Sequence, residues 1–515
     1  MFDLYDFQKA DVWRFINEPT YAGLNASVVG VGKTLVASEI IRQLQFNKTL
    51  VIAPLNTEDG WRRHAWEHLG VDMRRIGGTK ASDKRDRELL LDPKCDGIFF
   101  ATWEQARRML VVGEEYDKIK GKMVPIKEPM LSLEGSGVDF LVADEVHRAQ
   151  NRQADSSKVL VSLTKAVFKE QEEGRVLAMS ATPAGNRLPG MWGTLRALWP
   201  EKYDTGKGRG YGPWWRKHFE AVFNKWSGFD EPGDELSPGS VVRDIPSYWR
   251  HEQGYNCCEF HPRGVQEDLP PVVEHQVTVE LSPTQRRIYE DIKDSAFAWV
   301  AEHEWPIETK GLPTLEFLRL CQVCLGVPTP EMITVLKRPA GSPVDAEKVE
   351  QEILKLRFDD DFKSSKVDAL LDIVADIPDE ERFMVYTHST AVIPAVVARL
   401  RAKGIAAERW DGTVSGDQRD AVKRRFTEGR TRCIVAQIAA IGEGVDGLQR
   451  VCSNEVWFSS SPNSMHNIQC KGRLSRTGQT RAVNRWTILA KDTVELEHWW
   501  SQTAADRTLH TALQG

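Results

Sequence analysis

The chain lacks any apolar run of about 18 residues, the length that a membrane-spanning helix requires. The segment after Met1 lacks the basic and then apolar order of a secretory leader. Cysteine is scarce, with 8 in 515 residues, which excludes a disulfide-stabilised scaffold and suits a reducing compartment. These absences predict a soluble, cytoplasmic protein without a membrane partner.

An excess of either charge is also missing, since 68 Lys and Arg stand against 74 Asp and Glu for a net charge of −6. A nucleic-acid partner would therefore have to bind a local basic groove. The sequence has no internal repeat and no low-complexity segment. A chain of 515 residues is too long for one ordinary core and predicts two lobes of about 200 residues with insertions.

A glycine-rich segment near the start, residues 27–34, has the composition of a phosphate-binding loop. Gly30 and Gly32 are predicted to let backbone N–H groups close around phosphates. Lys33 is predicted to reach the β and γ phosphates of ATP, and Thr34 to offer its hydroxyl to Mg²⁺.

Ser27 stands where the usual pattern has its first glycine, so the segment alone also fits a small-residue turn before the helix predicted at 35–44. A second segment favours the phosphate-binding interpretation. Residues 140–143 are apolar and predict a buried strand, and this strand delivers Asp144 and Glu145 at its carboxyl end, where parallel sheets bind ligands. The alternative, an acidic pair on the surface, is disfavoured by so apolar a strand.

Further segments along nearly the whole chain resemble the Swi/Snf-like branch of the superfamily 2 helicase-like ATPases. The most specific are the stretch that follows the acidic pair and the Ser-Ala-Thr segment with its helix. The similar segments are residues 4–8, 51–55, 100–104, 144–151, 180–186, 198–200, 268–271, 277–285, 385–389, 409–412, 441–446 and 469–479.

The resemblance implies an α/β fold of two tandem RecA-like lobes with parallel sheets, with helical protrusions inserted between them and ATP in the cleft. The implied domains are a first, ATP-binding lobe at 1–200, a protrusion or linker region at 201–275, a helical region at 276–365 and a second lobe at 366–515.

The resemblance also implies roles for individual residues. Glu145 would activate the attacking water, and Thr34 and Asp144 would hold Mg²⁺. Coupling of the ATP site to DNA would use His147, Ser180 and Thr182. The implied nucleotide-binding set is Gln8, Gly30, Gly32, Lys33, Thr34, Asp144, Gly442 and Asp446.

Arg473 and Arg476 are predicted to stabilise the charge that spreads over the γ-phosphate during transfer, with Gln469 beside them. Their spacing of three predicts that they share one face of a helix. The alternative is a solvated basic face near Lys471. The flanking residues, Gln469 upstream and Gly478 and Gln479 downstream, favour the catalytic interpretation.

The expected partner is DNA, duplex or branched, bound without sequence preference through its phosphates. The candidate contacts are Pro54, Thr102, Thr387, His388, Arg424 and Arg425. The implied function is DNA-dependent ATP hydrolysis that drives translocation on duplex DNA and remodels bound protein or branched DNA in replication, repair or recombination. A strand-separating helicase and a non-catalytic, ATP-gated DNA clamp remain alternatives. A bacterial or viral setting, a monomer and a targeting protein partner are also expected.

The region between the lobes carries weaker signals. Residues 201–270 predict loop with embedded short helices, and the charged segment 345–363 predicts a helix in a linker or an arm. Six tryptophans between 192 and 249 predict a packed aromatic region. A zinc site built from cysteines 257, 258, 321 and 324 is disfavoured, because adjacent cysteines chelate poorly and residues 317–325 resemble a core helix.

Overall fold

The computed structural model describes most of the chain. The described residues are 3–18, 21–77, 80–109, 115–119, 122–126, 133, 135–152, 154–170, 174–185, 187–203, 210–224, 229–253, 258–261, 269–302, 314–327, 329–337, 349–358, 364–414, 416–441 and 445–514.

The chain forms two compact units. The first comprises Met1–Leu269, Glu443–Val445 and Ala504–Gly515, and the second comprises Pro270–Gly442 and Asp446–Thr503. The finer division at 200, 275 and 365 stays a prediction.

The first unit is built on a seven-stranded sheet with the order β11-β1-β8-β7-β2-β4-β3, in which every paired neighbour runs parallel. The strands of this unit, including two hairpins outside the sheet, are β1 (Ala22–Asn25), β2 (Lys48–Ala53), β3 (Met73–Arg75), β4 (Gly97–Thr102), β5 (Glu115–Ile119), β6 (Lys122–Ile126), β7 (Phe140–Asp144), β8 (Arg175–Met179), β9 (Phe219–Asn224), β10 (Phe229–Leu236) and β11 (Cys258–Glu259).

Helices of the first unit pack on this sheet through apolar side chains. Helix α2 shows why, since Val36, Ile40 and Ile41 recur at helical spacing and are all buried. The helices are α1 (Asp6–Asn17), α2 (Lys33–Leu44), α3 (Glu58–His64), α4 (Lys80–Leu91), α5 (Trp103–Met109), α6 (Asp155–Glu170), α7 (Met191–Leu198), α8 (Pro200–Tyr203), α9 (Tyr211–His218) and α10 (Ile245–Gln253), and one π-helical turn, Ala65–Leu69, continues α3.

The second unit is built on a six-stranded sheet with the order β12-β19-β18-β15-β17-β16, again parallel at every pairing. Its strands and helices are β12 (Val272–Val279), α11 (Pro283–Glu302), α12 (Thr314–Leu325), β13 (Thr329–Lys337), β14 (Val349–Arg357), α13 (Ser365–Asp376), β15 (Arg382–Thr387), α14 (Ile393–Ala402), β16 (Ala407–Trp410), α15 (Gly416–Thr427), β17 (Cys433–Gln437), α16 (Ile438–Ile441), β18 (Cys452–Trp457), α17 (Ser464–Lys471) and β19 (Val483–Ala490). Helix α18 (Val494–Gln514) begins here, and its last residues belong to the first unit.

Two parallel α/β units confirm the predicted fold class, and two local predictions need correction. The prediction of a helix at 345–363 is wrong, because residues 349–357 form strand β14 and pair antiparallel with β13. Residues 201–270 contain the expected short helices but also the antiparallel hairpin β9–β10, which the loop-rich composition did not indicate.

The predicted aromatic region forms part of the first unit's core. Trp192, Trp214 and Trp249 are buried, and the ring of Trp199 contacts that of Trp249 edge-on at 5.2 Å between centroids. The indole N–H of Trp214 donates to the Tyr248 hydroxyl at 3.0 Å. Position 226 lies outside the described residues.

Cysteines 321 and 324 are buried in α12, as the core interpretation predicts. Within the described part of the chain, no group of three or more His, Cys, Asp or Glu side chains is arranged to hold a metal ion. The helices within the same described ranges include none with the length and apolarity needed to cross a membrane.

Candidate active site

The glycine-rich segment forms a loop between β1 and α2, with the backbone conformations that its glycines predict. Gly30 and Gly32 have φ values of +93° and +84°, in the left-handed region that favours glycine. A Cβ on Gly32 would lie 2.4 Å from Nε2 of Gln8, so the close approach also requires glycine. Helix α2 begins at Lys33, which points the free N–H groups of its first turn toward the loop.

Lys33 folds back over the loop that precedes it. Its Nζ donates to the carbonyl oxygens of Ser27 and Val28 at 2.8 and 3.2 Å. Thr34 follows in the first turn of α2 and is partly buried. The loop therefore gathers a cation, a hydroxyl and a helix N-terminus, which are the groups that bind a phosphate chain.

Gln8 fixes the loop from the other side. Its Nε2 donates to the carbonyl oxygen of Val31 at 2.8 Å, and its Oε1 accepts from the backbone N–H of Tyr5 at 3.0 Å. The side chain is 1% exposed. These contacts place Gln8 next to the phosphate loop, and its role in reading adenine stays a prediction.

Ser27 has a structural function where the common pattern has glycine. Its hydroxyl accepts from the backbone N–H of His261 at 3.0 Å, and the carbonyl oxygen of His261 accepts from the N–H of Val28 at 3.1 Å. The His261 ring is held in turn, since Nε2 lies 2.6 Å from Oδ1 of Asp11. The segment of His261, an extension of edge strand β11, thus buttresses the loop.

Sequence reasoning missed this buttress. The sequence offers no motif that includes His261 or Asp11 and points to the loop. Residues 261 and 27 are separated by 234 positions, and no local pattern indicates that β11 pairs with β1. The serine at the first position of the loop was the available signal.

The acidic pair ends β7, whose five residues are all buried. Asp144 accepts from the indole N–H of Trp61 at 3.2 Å through Oδ2, and from the backbone N–H of Glu145 at 3.0 Å through Oδ1. Burial, with the neighbouring Glu145 charge, raises the pKa of Asp144 to about 6, although the Trp61 hydrogen bond and the Lys33 charge oppose the shift. The Lys33 charge therefore acts on Asp144, which is expected if the two residues belong to one site.

Glu145 adopts a left-handed backbone conformation, with φ of +53°. This conformation is uncommon for a residue with a side chain and occurs often at functional sites. The turn brings Oε2 of Glu145 within 3.2 Å of Nδ1 of His147 and 3.4 Å of the Ser180 hydroxyl, which donates to it.

The three residues predicted to couple ATP to DNA lie together around Glu145. Nδ1 of His147 lies 3.0 Å from the Ser180 hydroxyl, and that hydroxyl accepts from the backbone N–H of Thr182 at 3.0 Å. The side chains of His147, Ser180 and Thr182 are all buried. The arrangement links the end of β7 to the end of β8 through hydrogen bonds that converge on one carboxylate.

The candidate DNA contacts occupy strand ends within each unit. In the first unit Thr102 ends β4, opposite Ala53 in the register of β2, and Pro54 follows Ala53. The Thr102 hydroxyl accepts from the backbone N–H of Gln105 at 3.1 Å. Their service as phosphate contacts stays a prediction.

Thr387 and His388 follow the end of β15 in the second unit. The Ser459 hydroxyl lies 3.0 Å from that of Thr387 and 2.9 Å from Nδ1 of His388. Burial, with help from the Lys366 charge, lowers the pKa of His388 to about 4, so this imidazole is neutral at physiological pH. On α15, Arg424 is exposed and Arg425 forms an ion pair with Glu408.

The helix predicted to carry both arginines ends before them. Helix α17 stops at Lys471 with Gly472 as its C-cap, and Arg473 and Arg476 lie in the turns that follow. The expectation of a shared helical face is therefore wrong. Gly472 was the stop signal, because glycine commonly ends a helix.

The segment that carries both arginines, residues 472–478, is called the arginine turn, and it packs against its surroundings. Arg473 is 7% exposed and its Nε donates to the carbonyl oxygen of Gln469 at 3.1 Å. Nε of Arg476 lies 3.6 Å from Oδ1 of Asp446, which joins two predicted site residues. Both polar side-chain atoms of Gln469 are buried without a hydrogen-bond partner among the described residues. Gly442 lies outside those residues.

Family models match both halves of the chain. Residues 3–185 match the model described as "Type III restriction enzyme, res subunit", and residues 365–478 match the "Helicase conserved C-terminal domain".

Relatives extend the match across the chain. "Chromodomain-helicase-DNA-binding protein 1" of Gallus gallus is 20% identical over 91% of the chain, and "Transcription regulatory protein SNF2" of Saccharomyces cerevisiae is 22% identical over 92%. The chain spans 24% and 25% of the length of these two relatives. The Hef helicase domain of Pyrococcus furiosus has the same fold, with a TM-score of 0.52 at 17% identity over 96% of this chain and 97% of that one.

One family model matches within each parallel-sheet unit, and the SNF2-type relatives align with nearly the entire chain. The phosphate loop and acidic pair lie in the first unit and the arginine turn in the second, where the sequence resemblance requires them. The chain belongs to the Swi/Snf-like branch of the superfamily 2 helicase-like ATPases and is an ATP-hydrolysing enzyme of that superfamily.

Proposed function

We propose that the chain couples ATP hydrolysis to translocation along duplex DNA and so remodels protein–DNA complexes or branched DNA. The observation that carries the proposal is the hydrogen-bonded group of Glu145, His147 and Ser180 beside the phosphate loop. It connects the acidic pair to the two elements that the family resemblance assigns to coupling. The names of the relatives, which include a DNA-binding helicase, support DNA as the partner.

The proposed roles in hydrolysis follow from position. The phosphate loop binds the phosphate chain, with Lys33 turned from its present carbonyl partners to the β and γ phosphates. Glu145 orients and deprotonates the attacking water, and the hydrogen bond from Ser180 holds its carboxylate. Arg473 and Arg476 stabilise the charge on the transferred phosphoryl group.

The donor set fits a magnesium ion. Asp144 is a buried carboxylate whose pKa is raised to about 6 by burial and by Glu145, so a nearby cation would stabilise its ionised form. Asp144 and the Thr34 hydroxyl would hold the ion, with phosphate oxygens and water completing its shell. Bound Mg²⁺ would neutralise the negative charge of the phosphates.

DNA binding is assigned to the strand-end residues Pro54, Thr102, Thr387 and His388 and to the basic face of α15. These contacts recognise the phosphate backbone, so binding is independent of base sequence. A protein partner then selects the substrate in the cell, and the chain acts as a cytoplasmic monomer in replication, repair or recombination. Light scattering of the purified chain tests the monomer directly.

The decisive experiment combines three assays on one preparation. ATP turnover is measured with single-stranded, duplex, forked and junction DNA, displacement of a third strand from a triplex reports translocation, and strand displacement reports unwinding. The proposal expects duplex-stimulated turnover and triplex displacement without strand separation. Strand separation would identify a helicase, and DNA binding without turnover would identify an ATP-gated clamp.

A further inference from the structure

A row of charged side chains crosses three neighbouring strands of the second sheet. Arg485 on β19 is in register with Glu274 on β12 and with Glu455 on β18. Arg485 and Glu455 are 3% and 0% exposed, and both lie on interior strands of the sheet. The Glu274 side chain is 60% exposed, so the buried part of the row is the pair of Arg485 and Glu455, and a buried pair of charges is costly unless the two are well paired and hydrogen-bonded.

The guanidinium of Arg485 reaches three different elements with its three nitrogens. Nε donates to Oε1 of Glu455, and Nη1 donates to Oε1 of Glu274 at 2.7 Å. Nη2 donates to the backbone carbonyl oxygen of Lys471 at 3.0 Å. The two glutamates thus hold the guanidinium in place while its third nitrogen binds the end of α17.

The third contact falls where the arginine turn begins. Lys471 is the last residue of α17, and the final carbonyl groups of a helix have no partner within the helix. A cation bound there donates to a helix-end carbonyl and complements the negative end of the helix dipole. Arg473 follows two residues later and is itself tied back to Gln469.

Other contacts brace the remainder of the turn. Nε2 of Gln479 donates to the carbonyl oxygen of Leu474 at 3.1 Å, and Nε2 of Gln449 donates to that of Thr477 at 3.2 Å. Residues 472–478 are therefore held at their start, middle and end. Arg485 is the charged member of these supports, and it is anchored in the sheet.

We propose that Arg485 is a positioning residue for hydrolysis, which fixes the start of the arginine turn to the second sheet through Glu455 and Glu274. The inference rests on the proposed role of Arg473 and Arg476 in turnover. Displacement of a catalytic group by about 1 Å can cost about 100-fold in rate, so a turn that supplies transition-state charge needs such an anchor. Arg485 touches no reacting atom in this role.

The test exchanges the buried pair for apolar side chains of similar volume, as Arg485→Met with Glu455→Leu. Such exchanges often leave folding intact, whereas removal of one partner strands a buried charge. The positioning role predicts a folded protein with kcat for DNA-stimulated ATP hydrolysis lower by about 10- to 100-fold and KM for ATP within about two-fold of wild type. A folded double variant with wild-type kcat would overturn the inference.

The matched control is Arg432 of the same unit, whose guanidinium also combines an ion pair, with Asp379 at 3.1 Å, with hydrogen bonds to backbone carbonyl oxygens, those of Ile377 and Glu381. Arg432→Met with Asp379→Asn carries the same change of charge but leaves the carbonyl of Lys471 capped, so its kcat should stay within about two-fold of wild type. An equal fall of kcat in both double variants would show that the loss of any such ion pair in this unit slows turnover, and it would overturn the positioning role.

Arg485→Lys serves if the double variant does not fold. Lysine keeps a charge opposite Glu455 but cannot make three divergent contacts, so kcat should fall and KM should not. Wild-type kcat in Arg485→Lys would overturn the inference. Arg473→Ala and Arg476→Ala are measured beside it, because full turnover in both would refute the proposed arginine role itself, a failure separate from that of Arg485.

Discussion

Replacement of Asp144 by asparagine is expected to stabilise the folded protein at neutral pH while it abolishes ATP hydrolysis. In the folded chain the pKa of Asp144 is raised from 3.8 to about 6, with burial as the largest cause. Two units of pKa correspond to about 3 kcal/mol of folding free energy at 1.36 kcal/mol per unit. The wild type is less stable by that amount at neutral pH, because the proposed magnesium site needs a carboxylate at this position.

The direction in which stability changes with pH follows from proton binding by Asp144. Between pH 3.8 and about 6 the folded protein binds the Asp144 proton more strongly than the unfolded chain does, so wild-type stability falls as pH rises through this window. Asparagine does not titrate. The advantage of Asp144→Asn should therefore be absent below pH about 4 and complete above pH about 6.

The assay is hydrogen exchange at the amides of β7 and neighbouring β8, with urea unfolding between pH 4 and 8, in chelator and without nucleotide. A pH-independent difference between the two proteins, or a less stable variant at pH 7, would refute the burial account of Asp144.

Glu39→Gln is the control of opposite sign. Hydrogen bonds from Arg42, and from Gln43 and His68, lower the pKa of Glu39 to about 2. Glu39 therefore contributes stability that is present above pH about 4.5 and is lost as pH falls toward 2. With a discount for the partly exposed Arg42, its replacement should cost about 1–3 kcal/mol at pH 7.

Four further outcomes are expected. Lys33→Ala should weaken nucleotide binding and turnover together. Glu145→Gln should bind ATP normally in equilibrium titration but lose about 10²- to 10⁴-fold in kcat. Normal turnover in Glu145→Gln would show that Glu145 is not part of the site. Arg476→Ala should keep ATP affinity and lose about 10³-fold or more of DNA-stimulated turnover, with Arg473→Ala compared in the same assay. His261→Ala should raise KM for ATP several-fold, because the loop loses its Asp11-anchored support, and an unchanged KM argues against the buttress. DNA affinity should fall log-linearly with salt and vary little among unrelated duplexes, and a strong preference for one sequence at fixed salt contradicts phosphate recognition.

The parts predicted correctly from sequence are those in which neighbouring residues suffice. Residues 35–44 form most of α2 and residues 140–143 form most of β7, because helical spacing and a continuous apolar run are local patterns. The conformation of the glycine-rich loop follows for the same reason, since its strand, glycines and helix are contiguous.

The errors lie where a distant partner outweighs local preference. Residues 349–357 are rich in good helix formers, yet they form β14 because β13 pairs with them along nine positions. The arginine turn was predicted as helix from a spacing of three, and the glycine at 472 ends that helix.

The sequence by itself indicated the chemistry that we propose for this protein, because a lysine in a glycine-rich loop, an acidic pair after an apolar strand and two spaced arginines are recognisable one segment at a time. Only the tertiary structure decided what supports those groups. His261 reaches Asp11 across 250 positions and Arg485 reaches Glu274 across 211. Both contacts depend on strand order, β11 beside β1 and β12 beside β19, which packing of whole sheets sets and no local pattern encodes.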